Sequence, residues 1–145
     1  MKKILKIGLV VLAVTMMVTS FYNFRTEAKT KNKVTYTLKK GTLTIKGKGN
    51  MPKKMVFKGN KKIKKVVIKN GVTSINKSAF ENCKNLEVLN FKTVESIGSH
   101  AFKWCTSLKD VEFGKNLKSI GAAAFAYCEE FPSEITLPGG FESIG

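Results

Sequence analysis

Glu95-Ser96-Ile97-Gly98-Ser99-His100-Ala101-Phe102-Lys103-Trp104-Cys105 is written three times in this chain. It appears before as Ser74-Ile75-Asn76-Lys77-Ser78-Ala79-Phe80-Glu81-Asn82-Cys83 and after as Ser119-Ile120-Gly121-Ala122-Ala123-Ala124-Phe125-Ala126-Tyr127-Cys128. Ser143-Ile144-Gly145 opens a fourth copy, and the isoleucines stand 22, 23 and 24 residues apart. What recurs is Ile, Ala, Phe and Cys, while His100 and Trp104 belong to one copy only.

Outward from this segment the register continues. Ile63, Leu86, Leu108 and Phe131 mark one apolar position, followed three residues on by Val66, Leu89 and Val111, and five on by Ile68, Phe91 and Phe113. In the fourth copy one inserted residue moves these to Ile135 and Leu137. Val66-Val67-Ile68 and its counterparts, Ile135-Thr136-Leu137 included, read as strands that alternate inside and outside. A period of this length belongs to leucine-rich solenoids, in which no coil buries its own apolar face and stability is shared between neighbours. The expected fold is a β-rich leucine-rich repeat solenoid, a short parallel sheet with helical or irregular return segments. Phe80, Phe102 and Phe125 form its inner wall, and alanine precedes each because coils lie about 5 Å apart.

Residues 61–145 hold about three and a half such coils. Before them, Val34, Tyr36 and Leu38 alternate with Thr35 and Thr37, and Thr42-Leu43-Thr44-Ile45 alternates again after Lys40-Gly41. That pattern reads as a β-hairpin, and residues 34–60 as an N-terminal cap over the first coil. Residues 29–33 form a linker. Residues 1–28 read as an export signal, with Lys2, Lys3 and Lys6 before an apolar run from Ile7 to Val18 and small residues at Ala28 for cleavage. The expected address is secreted or cell-surface, with an N-terminal membrane anchor as the alternative.

The whole chain carries 26 basic and 10 acidic residues, a net charge of +16. Without residues 1–28 it carries 22 basic against 9 acidic, or +13. All but Arg25 of the basic residues are lysines, a flexible point charge suited to diffuse attraction and not to the bidentate reading of bases. No nucleic-acid partner is expected, since export argues against one and no aromatics interleave with the lysines as single-strand binding requires.

Cys83, Cys105 and Cys128 recur with the repeat and lack the tight spacing of a zinc site. They read as a ladder of buried thiols, with a strained or intermolecular disulfide as the alternative. His100 sits in a variable loop where other copies have Ser78 and Ala123, and Glu129, Glu130 and Glu134 read as a solvated edge. No nucleophile with a base, metal cluster or phosphate loop emerges, so neither catalysis nor any cofactor is expected. Trp104 and Tyr127 read as contacts between coils, with stacking of a sugar ring as the alternative.

The Ser-Ile-Gly, Ala-Phe, Cys, Leu order at Ser96-Ile97-Gly98, Ala101-Phe102, Cys105 and Leu108 resembles the BspA-type, or bacterial surface antigen, leucine-rich repeats. Gly41-Thr42-Leu43-Thr44-Ile45-Lys46-Gly47-Lys48-Gly49-Asn50-Met51 also looks like the lead-in to such repeats, whereas Asn76 and Phe131-Pro132 depart from the pattern. The resemblance implies an exported, non-catalytic binding module, with adhesins among its members. The implied partner is a host or neighbouring-cell surface protein or a matrix component.

Two binding surfaces follow. One is the outward strand row, Lys65, Val67, Lys69, Asn90, Lys92, Glu112 and Thr136, which passes from basic to acidic along the stack. The other is the cluster Lys53, Lys54, Lys58, Lys61, Lys62 and Lys64, suited to an anionic cell-wall polymer, glycan or lipid headgroup. Finally, an uncapped last coil would invite self-association through its strand edge.

Overall fold

The two-residue turn Lys40-Gly41, with both φ angles positive at 46° and 80°, is the geometry that lets two strands twist together without a longer loop. It joins β1 (Thr35–Lys39) to β2 (Thr42–Lys46) as an antiparallel hairpin. The computed structural model describes residues 33–145. The expected signal at 1–28, and all of the linker except Lys33, lie outside the described residues. The remaining strands are β3 (Gly49–Asn50), β4 (Lys65–Ile68), β5 (Val72–Ile75), β6 (Val88–Phe91), β7 (Ser96–Ile97), β8 (Asp110–Glu112), β9 (Ser119–Ile120) and β10 (Ser143–Ile144).

They form two five-stranded sheets, one in the order β1-β2-β4-β6-β8 and the other β10-β9-β7-β5-β3. Every pair except the hairpin is parallel, so each circuit of the chain adds one rung to each sheet. The ladder runs through the boundary expected at residue 60. β2 pairs with β4 as Leu43↔Val66 and Ile45↔Ile68, and both Leu43 and Ile45 are fully buried. The second strand of the hairpin is thus itself a rung of the solenoid. β1 alone lies outside the parallel ladder as its edge and is exposed along its whole length, although Tyr36 and Leu38 stand opposite the buried Ile45 and Leu43 on the inward face and Tyr36 packs edge-on against Phe57 at 4.8 Å.

The return path is not helical among the described residues. Its backbone groups divide between short turns, such as Cys83 N–H to Phe80 O at 3.1 Å, and the next coil, as in Phe80 N–H to Ala101 O at 2.7 Å. Donors committed to a neighbouring coil cannot climb their own helix. Two residues per coil adopt the left-handed conformation to turn these corners: Ser78, His100 and Ala123 at φ 53–57°, and Asn82, Trp104 and Tyr127 at φ 61–63°.

Inside, like residues stack on like. Phe57, Phe80, Phe102 and Phe125 form a continuous column with centroids 5.5, 5.1 and 5.2 Å apart and planes within 14° of parallel. Phe57 is thus the first member of the wall, although its copy lacks the Ala-Phe-Cys signature. Coils touch closely beside it. A Cβ added at Gly98 would lie 2.4 Å from the Lys77 backbone nitrogen, and one at Gly121 2.5 Å from that of Ser99. Asn76 escapes this constraint because the strand before it shifts register between Gly49 and Asn50, and its side chain donates to Pro52 O at 2.6 Å.

The fourth coil departs from expectation. Ile135-Thr136-Leu137 is not a strand, Ile135 is 40% exposed, and the first sheet ends at β8. Pro132 and Pro138 bracket the segment, and neither can donate to a ladder. The second sheet nevertheless continues, with β10 in register on β9 through Ile144↔Ile120.

Candidate functional surfaces

Parallel pairing with a constant register stacks the outward residues of the first sheet into columns that run along the solenoid axis. The central column is Thr44, Val67, Asn90 and Glu112, in which Asn90 Nδ2 donates to Glu112 Oε2 at 2.6 Å. Beside it run Thr42, Lys65, Val88 and Asp110 on one side, and Lys46, Lys69 and Lys92 on the other, the last set following the buried Ile45, Ile68 and Phe91. Six of the seven expected strand-face residues therefore share one surface. Thr136 does not extend the row, since its segment leaves the sheet; it lines a shallow depression with Glu112, Glu134 and Pro138.

The expected lysine cluster is spread around one circuit instead of gathered on one patch. Lys53 and Lys54 lie in the turn after β3, Lys58 on the return path, Lys61 and Lys62 in the turn before Ile63, and Lys64 beside β4. All six are exposed, but Lys58 is paired with Glu81 at 3.0 Å. The Lys58 hydrogen bond, then that of Ser78, holds the Glu81 carboxyl below its ordinary value. Charge is nonetheless divided along the axis: residues 33–80 contain 14 lysines and no acidic residue, while residues 81–145 contain 6 lysines and 9 acidic residues.

The three cysteines are free thiols, as expected of a ladder. Cys83 Sγ donates to Phe57 O at 3.2 Å, Cys105 Sγ to Phe80 O at 3.2 Å and Cys128 Sγ to Phe102 O at 3.1 Å. Each thiol thus bonds to the coil before its own. Burial pushes all three above the ordinary thiol value, Cys128 to about 11. At neutral pH these are weakly reactive, uncharged groups, the opposite of a nucleophilic cysteine.

Trp104 and Tyr127 stack face to face, with centroids 4.1 Å apart and planes 7° apart, and Lys103 Nζ lies 5.6 Å from the Tyr127 centroid. Their contact is between neighbouring coils, and the ring edges stay partly exposed. His100 is half-buried in its left-handed corner. Among the described residues no cluster of three or more His, Cys, Asp or Glu side chains could hold a metal, and no helix is long and apolar enough to cross a membrane.

Lys46 and Asn70 escaped the sequence reading. The signal for Lys46 is that a lysine follows the last inward residue of three successive strands, which becomes a column only once the register is known.

Residues 42–145 match the model of the BspA type leucine rich repeat region in 6 copies. The chain is also similar to two solved structures, both leucine-rich repeat proteins. One, from Eubacterium ventriosum, shares 26% identity and a TM-score of 0.65 over 77% of this chain. The other, the T. pallidum leucine-rich repeat protein, shares 25% identity and a TM-score of 0.60 over 77%. The chain spans 32% and 61% of their respective lengths. Among curated proteins, none matches the chain.

Proposed function

The chain belongs to the BspA-type leucine-rich repeat family, and on that premise we propose that it is an exported, non-catalytic adhesion module binding a surface or matrix protein through its first sheet. The family and its fold support a protein-interaction module in general. The observation carrying the finer reading is the strand face itself. Thr44, Val67, Asn90 and Glu112 form a continuous outward column whose residue types change from coil to coil, while the residues inside repeat. A constant scaffold with a varied extended surface is how solenoids recognise partners. Export rests on the lysine-led apolar run of residues 1–28.

The test is retention of the full-length chain on a panel of immobilised extracellular-matrix proteins. A joint Val67→Ser, Asn90→Ala and Glu112→Gln variant should lose retention while its unfolding midpoint stays close to that of the parent. Retention unchanged by these substitutions would remove the face from the binding reaction.

A second reading is favoured by the charge division. The coils up to residue 80 carry 14 lysines without one acidic residue, a field that attracts wall polymers or anionic headgroups through summed, salt-sensitive contacts. On this reading, moderate salt abolishes binding. Neutralising Lys53, Lys54, Lys61, Lys62 and Lys64 together would weaken it in proportion to the charge removed.

A further inference from the structure

Three sets of charged residues on the solenoid fall into columns of alternating sign. Lys58, Glu81 and Lys103 stack on consecutive coils, with Lys58 and Glu81 paired at 3.0 Å. Lys64, Glu87 and Lys109 do the same, with Lys109 and Glu87 at 3.9 Å. Glu95, Lys118 and Glu142 form a third such column on the second sheet, where Lys118 N–H donates to Glu95 O and Glu142 N–H to Lys118 O, both at 2.8 Å. Stacked rungs of a parallel sheet lie about 4.8 Å apart, so alternation places each charge beside its opposite.

Besides the adjacent pair Lys61 and Lys84, one longer column breaks this order. Lys46, Lys69 and Lys92 occupy the same outward position on three consecutive rungs, all exposed, and neither ion pair among the described residues includes them. Like charges directly across a ladder are destabilising, so the bare column is a standing cost to the fold. It also borders a shallow axial groove. One stretch of the groove is lined by Val67, Lys69, Asn70, Asn90 and Lys92, and the adjoining one by Asn70, Lys92, Thr93, Phe113 and Lys115, with the Glu112 carboxylate on its wall. At the fourth rung Gly114 takes the column position and carries no side chain, leaving the groove open toward Lys115.

We infer that Lys46, Lys69 and Lys92 form a rail for a linear anionic polysaccharide lying along the solenoid axis, with one acidic group answering each coil. The inference deepens the reading of the chain as a binding module and rests on it, but it assigns ligand and direction to residues that a diffuse lysine field would not distinguish. A linear chain is required because the positive groups are collinear and repeat at a single spacing. A polysaccharide bearing a sulfate or carboxylate on its sugars matches that repeat, and its hydroxyls match the amides of Asn70 and Asn90 at the groove. A nucleic-acid strand fits less well, because Phe113, the aromatic ring that lines the groove, is packed against Phe91 and Phe125 and does not stand free for a base to stack on.

The experiment compares the full-length chain with two triple variants of equal charge, Lys46→Gln/Lys69→Gln/Lys92→Gln and Lys53→Gln/Lys54→Gln/Lys61→Gln. Each is titrated with heparin-derived oligosaccharides, with dextran as neutral control and inorganic polyphosphate as a sugar-free polyanion. The rail triple should lose about tenfold or more in heparin affinity and most of its salt dependence, and the second triple less than about threefold. A single Lys69→Glu variant, which restores alternation, should melt higher than the parent while binding heparin more weakly, a combination that damage to the fold could not produce. Equal losses in both triples would overturn the rail and leave the diffuse polycation reading standing. Parent binding to polyphosphate as tight as to heparin would overturn the assignment to a polysaccharide. No heparin binding by the parent would overturn rail and polycation alike, with the protein-binding reading untouched.

Discussion

The two long walls of this solenoid obey opposite rules. On the return wall each inward position keeps its identity from coil to coil, with phenylalanine over phenylalanine and thiol over carbonyl, and its outward charges alternate in sign. On the strand wall the inward residues also pack tightly, but the outward ones change type along the axis and in one column repeat a single charge. The difference teaches where stability and recognition are separated: the inward residues of both walls hold register, and the outward side chains of the strand wall are free to vary because little of the fold depends on them.

The heaviest blow to that division is Phe102→Ala. Phe102 is fully buried between Phe80 and Phe125, so truncation should lower unfolding free energy by about 3–5 kcal/mol in urea titration. Asn90→Ala on the other wall should cost about 1 kcal/mol or less, because only one side-chain hydrogen bond is lost at a half-exposed site. Comparable losses at both positions would erase the distinction. Next is Gly98→Ala, whose added methyl would meet the Lys77 backbone and push two coils apart, at about 1–3 kcal/mol. The equivalent Asn76→Ala should not suffer from crowding, since that position already carries a side chain.

A subtler separation comes from pH. The folded Cys128 thiol titrates at about 11 against an ordinary 9.0, because burial disfavours the thiolate. Protonated thiol therefore favours the folded state. The contribution is complete below pH 9 and is lost as pH rises toward 11, so melting temperature should fall across that window and fall less in Cys128→Ala. Smallest of all, Lys92→Gln should raise stability by a few tenths of a kcal/mol by relieving repulsion from Lys69, visible as a slight rise in urea midpoint.

Much of this was readable from residue order. The Ile, Ala, Phe and Cys spacing predicted which side chains face inward because each coil solves the same packing problem with the same residues. Three features were hidden for physical reasons. Phe57 and β2 belong to a coil whose return path lacks the Ala-Phe-Cys signature, so only the pairing of Leu43 with Val66 reveals it as a rung. The second sheet is built from strands as short as Ser96–Ile97, too brief to show the alternation that marks a strand. Thr136 was placed by counting residues, and the count could not show that its segment, bracketed by Pro132 and Pro138, leaves the ladder. Of the candidate site, individual lysines were visible but their collinearity was not, because a column exists only after three distant strands are brought into register.

The cross-coil hydrogen bonds, in both sheets and along the return path, all point along the solenoid axis. Under tension applied at the two ends, the bonds within one coil-to-coil junction share the load in parallel, while successive junctions bear it in series. Such a stack does not shear as a block. It yields at its weakest junction and pays out chain one circuit at a time, so its mechanical strength is set by a single interface and its extensibility by the number of coils.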